Sequence, residues 1–141
     1  MARNLAPPPT PTALVPIALV LLLLHAILGA DYIIERFQLG NPEWPGVMRY
    51  LPLEGLWQKV VYALAVWLGF AAAFFLVIRD NASVLLFFAT TVAGVALAAA
   101  LYATPAPGLF IPLPGLLGAM VIVPLLAWIY ARALNRNGVL H

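Results

Sequence analysis

The sequence predicts an all-α polytopic membrane protein, a bundle of four transmembrane helices, and composition is the first reason. Hydrophobic residues make up 65% of the chain and charged residues only 9%, whereas a soluble domain carries roughly 25% charged residues. The mean hydropathy is +1.02. So few charges cannot cover a surface that faces water. Lipid, or a large protein partner, must therefore surround most of the chain.

The spacing of the charges is the second reason. Residues 4–30, 60–78 and 81–131 contain no Asp, Glu, Lys or Arg, and a spanning helix needs about 20 apolar residues. Unpaired backbone groups are too costly in lipid, so each such segment must be helical. We expect one membrane domain that comprises residues 1–141.

The limits of these blocks place four helices. The first is predicted at about residues 14–34, after a Pro-rich start, and the second at about 56–78. The longest block is divided into helices at about 82–102 and 114–134. Between them the stretch TPAPGLFIPLPG contains four prolines, which remove backbone donors and clash with helix geometry. A Pro-rich loop is therefore predicted at residues 104–113.

The connection between the first two helices, residues 35–55, is the longest hydrophilic segment. Its prolines rule out a long helix. Trp44, Tyr50 and, just beyond it, Trp57 have an apolar body and a polar edge, which suits the headgroup layer. We expect this connection to lie flat on the membrane surface.

The distribution of basic residues predicts the topology. Four helices put both termini on one side, together with the loop between the second and third helices. That side carries Arg3, Arg79, Arg132 and Arg136, and the other side carries Arg36, Arg49 and Lys59. The positive-inside rule counts Lys and Arg. It predicts cytoplasmic termini in a bacterial inner membrane.

Small residues recur at four-residue spacing along three of the predicted helices. Such spacing places them on one helix face, where they allow close helix–helix packing in lipid. They are Ala65, Gly69 and Ala73 on the second helix, Gly94 and Ala98 on the third, and Gly115 and Ala119 on the fourth. Packing inside the bundle and docking of a partner protein are both open interpretations.

Charged residues collect where the first helix leaves the lipid. Asp31 and Glu35 are four residues apart and share a face, and Arg36 and Lys59 are expected to act as their counter-charges. The main interpretation is an interfacial ion-pair cluster. A proton or cation relay, or a catalytic carboxylate pair, is the alternative. His25 points about 80° to 120° away from these carboxylates, so no metal site and no catalytic residue is predicted.

His25 lies near the middle of the first helix, a depth at which polar residues are uncommon and often functional. One interpretation is a hydrogen bond to Thr90 or Thr91 on the third helix. Ligation of haem or a chlorophyll-type pigment by the imidazole, or a proton relay, is the alternative. His25 is therefore the candidate cofactor ligand, although a single histidine does not by itself predict a cofactor.

Several classes of protein are disfavoured. The chain has no Cys, which excludes disulfides and thiolate chemistry. It has no Gly-rich phosphate loop, nucleophile elbow or His-Glu-x-x-His motif, so an enzyme is not expected. It also has no basic patch of the kind that binds nucleic acid.

Residues 55–98, GLWQKVVYALAVWLGFAAAFFLVIRDNASVLLFFATTVAGVALA, resemble a family of small, uncharacterised bacterial four-helix membrane proteins. Members of that family share an AxAVxxG helix, a short charged turn and a following apolar helix. In that family the middle of the first helix commonly carries a polar residue, often Asn, at the position of His25. The resemblance implies four transmembrane helices, and some members are labelled sugar transporters.

These observations lead to a ranked expectation of function. The first is an accessory or structural subunit that docks onto a larger membrane complex through its small-residue faces. The second is a small oligomeric transporter of a sugar-like or lipophilic solute, and the third is a membrane enzyme. The expected partners are the lipid bilayer and either other membrane subunits or further copies of the chain.

Overall fold

The structure is a computed structural model that describes residues 10–41, 46–51, 53–101 and 113–141. Its helices are α1 (Leu14–Phe37), α2 (Val47–Tyr50), α3 (Leu56–Val77), α4 (Ala82–Leu101) and α5 (Leu113–Arg136). The four long helices are apolar and long enough to cross a membrane, and they form a four-helix bundle. The predicted fold class is confirmed, and the chain is a multi-pass membrane protein.

The helix bounds differ from the predicted ones mainly at the charged end of α1. This helix continues to Phe37, where Gln38 adopts a left-handed conformation with φ 53 and the Leu39 N–H donates to the Ile34 carbonyl (2.9 Å). A left-handed residue after the last turn is a common way for a helix to end. Asp31 and Glu35 therefore lie within α1, Asp31 more than one turn before its end and Glu35 in its last turn.

The connection between α1 and α3 contains the single helical turn α2. Trp57 belongs to the first turn of α3 and is exposed. Trp44 and the prolines of this connection lie outside the described residues, as does the predicted Pro-rich loop except for its last residue. Leu51 and Leu53 are buried against the ends of the long helices, so this part of the connection caps the bundle.

The four long helices pack in the order in which they occur along the chain. α1 packs against α3, α3 against α4, and α4 against α5. Among the described residues, the backbones of α1 and α5 do not pack against each other. The bundle is therefore open along the line between its first and last helices.

The opposite end of the bundle contains both the start of α1 and the C-terminus. The His141 N–H donates to the Arg79 carbonyl (3.0 Å), and the Asn81 N–H donates to the His141 carbonyl (3.3 Å). Val139 and Leu140 are buried in the same core cluster as Leu14. The C-terminal residues thus hold the α3–α4 turn beside the beginning of α1.

Candidate functional site

His25 is a polar side chain buried among apolar helices, with 4% of its surface exposed. Its Nδ1 atom lies 2.8 Å from the Leu21 carbonyl oxygen, one turn earlier in α1. A carbonyl oxygen only accepts, so Nδ1 carries the hydrogen and donates it. In the neutral imidazole, Nε2 is then unprotonated and can only accept a hydrogen bond.

The hydrogen bond predicted between His25 and the third long helix is wrong. The Thr90 hydroxyl donates to the Leu86 carbonyl and the Thr91 hydroxyl to the Phe87 carbonyl, each at 2.8 Å. A threonine in a helix commonly satisfies its hydroxyl in this way, with the carbonyl four residues earlier. Both threonines are therefore bonded within α4.

The His25 ring lies against the backbone of α3 at Gly69. A Cβ atom at this glycine would overlap Cδ2 and Nε2 of the imidazole, so only glycine leaves room for the ring. Ala65 and Ala73, the other small residues of this face, are also buried. The small-residue face of α3 therefore lies inside the bundle, where it contacts α1, and is not part of the outer surface.

Gly94 occupies the closest approach of α4 to α5. A Cβ atom there would overlap the backbone carbonyl oxygen of Met120. Pro124, inside α5, has no N–H to bond that carbonyl. The freed carbonyl of Met120 thus lies against the backbone of Gly94, which explains why a small residue is needed at this position.

The remaining small residues differ in their surroundings. Ala98 is half-buried at the core cluster near the cap. Gly115 and Ala119 are exposed. The face of α5 that lies in the core is the one that carries Leu117 and Ala127. Gly115 and Ala119 therefore do not pack inside the bundle, and docking of a partner protein on them stays a prediction.

A cavity of about 300 Å³ lies in the gap between α1 and α5, with α3 and α4 behind it. Leu24 and His25 line it from α1, Ala65 from α3, Thr90 from α4, and Ala119 and Val123 from α5. His25 and Thr90 are the two side chains of the lining that carry a polar nitrogen or oxygen. The cavity is thus almost entirely apolar.

The second ring nitrogen of His25 is the polar atom that the protein leaves unused at this cavity. Among the described residues, the imidazole makes its one hydrogen bond through Nδ1, and Nε2 has no partner. Buried polar groups are normally paired. An unpaired acceptor on the wall of an apolar cavity is the arrangement expected of a ligand site.

Of the four predicted interfacial residues, Asp31 and Glu35 lie together beside Gly46. The Asp31 carboxylate accepts the Met48 N–H (2.9 Å) and lies 3.5 Å from the Tyr62 hydroxyl. Arg36 and Lys59 line a separate groove of about 410 Å³ between α1 and α3. Asp31 therefore ties α1 to the cap and to α3.

Glu35 lies on the same side of α1 as Asp31. A Cβ atom at Gly46 would meet the carboxylates of both residues, so the start of α2 is held close to this pair. Within the described parts of the chain, no group of three or more His, Asp or Glu side chains could hold a metal ion.

Sequence reasoning missed several residues of the site. Val123 and Met120 contribute to the cavity wall, but they lie in a continuous apolar segment in which nothing distinguishes them from their neighbours. Tyr62 is fully buried beside Asp31. Its burial could not be predicted from the sequence, because an aromatic residue near a helix end also suits the headgroup layer. Pro124 was the one available signal, since a proline inside an apolar helix marks a local break in its hydrogen bonding.

Comparisons with protein-family models, with curated proteins and with solved structures find no match to this chain. The family resemblance of residues 55–98 stays a prediction.

Proposed function

We propose that the protein binds a small lipophilic solute in the cavity between α1 and α5 and acts as a small transporter for it. The observation that carries this proposal is an apolar cavity of about 300 Å³ with an unpaired histidine nitrogen in its wall. Small-molecule sites are typically concave and apolar, with a few placed polar groups. This cavity has that composition.

The lining favours a lipophilic solute over a sugar. A sugar carries a hydroxyl on most of its carbons, and each one left without a hydrogen bond in an apolar site costs free energy. His25 and Thr90 cannot satisfy so many groups. The volume of about 300 Å³ lies at the lower end of the range for small-molecule pockets, about 300 to 1,000 Å³. A solute of that size is much smaller than the macrocycle of a haem or a chlorophyll-type pigment.

The position of the cavity favours entry from the lipid. Ile27 and Ala119 line it and are also exposed on the apolar outer surface. Because the backbones of α1 and α5 do not pack against each other in the described part of the chain, we expect a solute dissolved among acyl chains to reach the cavity sideways. Pro124 also lines the cavity, and a proline allows α5 to bend there without breaking a further hydrogen bond.

The accessory-subunit interpretation relied on the small-residue faces of the helices. The face of Ala65, Gly69 and Ala73 is buried inside the bundle, whereas Gly115 and Ala119 are exposed. The cavity is the feature that favours the transporter interpretation.

The proposal includes a bacterial inner-membrane location with cytoplasmic termini. The start of α1, the α3–α4 turn and the C-terminus share one end of the bundle. That end carries Arg79, Arg132 and Arg136. Basic residues next to membrane spans favour the cytoplasmic side.

Photocrosslinking tests the proposed site. A long-chain alcohol with a diazirine in its chain is added to the protein in lipid nanodiscs, with and without excess unlabelled alcohol. Labelling that the competitor removes should map to the segment around Leu24–Leu28 and to the segment around Ala119–Val123. Labelling of Val20 or Ile129, which are exposed and outside the cavity lining, should not be removed.

Two variants of α5 provide the control. Ala119→Phe places a ring in the cavity and should abolish the competable labelling. Ile122→Phe adds similar bulk at a lipid-facing position that is 55% exposed and should leave it unchanged. Competable labelling that is equal in the two variants, or absent in the parent, would contradict the proposal.

A further inference from the structure

We infer that the cavity selects a solute that donates a hydrogen bond, a lipophilic alcohol or phenol, and rejects the matching ketone or ether. This inference rests on the proposed function, because it concerns the ligand of the same cavity. It depends on where the hydrogens of His25 and Thr90 are placed.

His25 presents an acceptor because its hydrogen is already used. Nδ1 donates to the Leu21 carbonyl at 2.8 Å, which leaves Nε2 with a lone pair and no hydrogen. The ring cannot easily exchange its two nitrogens, since its Cδ2–Nε2 edge rests on the backbone of Gly69. The histidine is therefore held in one tautomer and one orientation.

Thr90 presents an acceptor for the same reason. Its hydroxyl hydrogen is donated to the Leu86 carbonyl at 2.8 Å, and the hydroxyl oxygen keeps lone pairs. Thr90 is 2% exposed, so water does not compete for these lone pairs. Both polar side chains of the lining thus offer acceptors, and neither offers a hydrogen.

The consequence is discrimination between solutes of nearly the same shape. A hydroxyl group donates its hydrogen to Nε2 and satisfies both partners. A carbonyl or ether oxygen has no hydrogen to donate, so it would stay unpaired and leave Nε2 unpaired as well, which is disfavoured in an apolar site. We expect the alcohol to bind at least about tenfold more tightly than its ketone, a ratio typical of one hydrogen bond made or lost.

Nuclear magnetic resonance of the protein in nanodiscs measures occupancy and hydrogen bonding separately. The chain has two histidines and three methionines, so ¹⁵N-histidine and ¹³C-methyl-methionine spectra are simple. Met120 lines the cavity, and its methyl signal reports occupancy. The Nε2 signal of His25 reports a received hydrogen bond, with His141 as the reference outside the cavity. The matched probes are decan-2-ol and decan-2-one.

The expected result is that decan-2-ol shifts both the Met120 methyl and the His25 Nε2 signals, while His141 does not respond. Decan-2-one should shift Met120 only at about tenfold higher concentration and should leave Nε2 unchanged. In His25→Leu, Met120 should respond to both probes weakly, and the difference between the two affinities should become smaller, because Thr90 is the acceptor that remains. If that variant does not fold, the two probes on the parent protein still decide the matter.

The outcomes separate this inference from the proposed function. If both probes shift Met120 at equal concentrations, or if the alcohol occupies the cavity without shifting Nε2, the donor selectivity is wrong and the cavity remains a binding site. If neither probe shifts Met120, the proposed function fails, and the selectivity fails with it.

Discussion

The imidazole of His25 on α1 occupies the space that a side chain at Gly69 on α3 would need. The buried histidine and the small-residue face of α3 are therefore parts of one arrangement. Gly69 lets the two helices approach and holds the ring. His25 also lines the cavity, and its Nε2 has no hydrogen-bond partner among the described residues. The stability of the α1–α3 contact and the chemistry of the site depend on the same pair of residues.

The first prediction concerns Gly69→Ala. The added methyl group overlaps the His25 ring, and overpacking of this kind costs about 1 to 3 kcal/mol. We expect a lower unfolding midpoint in detergent and weaker binding of the alcohol. Gly118→Ala is the matched control, because a Cβ atom there meets nothing within 4 Å. That control should be neutral, or stabilising by up to about 1 kcal/mol.

A double mutant identifies the cause of this effect. Gly69→Ala in a His25→Ala background removes the ring that the methyl group meets, so most of the cost should disappear. Equal costs of Gly69→Ala with and without the histidine would show that the two residues do not interact.

The second prediction concerns Gly94→Ala. Here the added methyl group overlaps the backbone carbonyl of Met120. A backbone atom cannot rotate away as a side chain can, so the overlap is relieved only if the whole of α5 moves. We expect a larger loss of stability than for Gly69→Ala, and no rescue by Met120→Ala, since that change leaves the carbonyl in place. Thermal unfolding of the three variants provides the comparison. Full rescue by Met120→Ala would place the contact at the side chain and refute the close approach of the backbones.

The third prediction concerns the cap. Asp31 accepts the Met48 N–H at 2.9 Å, and hydrogen bonds to charged groups contribute about 1.5 to 3 kcal/mol. Asp31→Ala should make the Met48 amide exchange with solvent much faster. Asp31→Asn keeps an acceptor oxygen and should show a smaller increase. If exchange at Met48 is unchanged in Asp31→Ala, the carboxylate does not hold α2.

The fourth prediction concerns topology. Reporter fusions at His141 should be active as cytoplasmic reporters, and a fusion near Gly46 should be active as a periplasmic reporter, because the basic residues favour this orientation. Periplasmic activity of a fusion at His141 would reverse the assignment.

The helices themselves could be predicted from the sequence because lipid imposes a simple rule. Long uncharged segments must be helical, and the start of α4 at Ala82 follows from where the charges end, just after Asp80. The end of α1 could not be placed, because Asp31 and Glu35 suggested contact with headgroups, whereas Asp31 is satisfied by Met48. Nor did the sequence indicate that Val139 and Leu140 fold back into the core. An apolar segment of two residues is too short to show the periodicity of a buried helix or strand.

The site was only partly predictable. The depth of His25 marked it as unusual, and the spacing of Gly69 and its neighbours placed a small-residue face on α3. The partner of His25 could not be predicted, because the carbonyl of its own helix competes with any threonine nearby. Gly115 and Ala119 have the same spacing as Ala65 and Gly69, yet both are exposed. Spacing alone does not reveal which helices become neighbours.

Ligand-dependent thermal stability tests the central claim, that the cavity between α1 and α5 binds a lipophilic solute. A ligand that binds the folded protein stabilises it by about 2.7 kcal/mol at a free concentration of 100 Kd. Decan-2-ol should therefore raise the Tm of the parent and of Ile122→Phe by equal amounts. It should leave the Tm of Ala119→Phe unchanged, because the new ring fills the cavity. An equal increase in all three proteins, or no increase in any, would contradict the account.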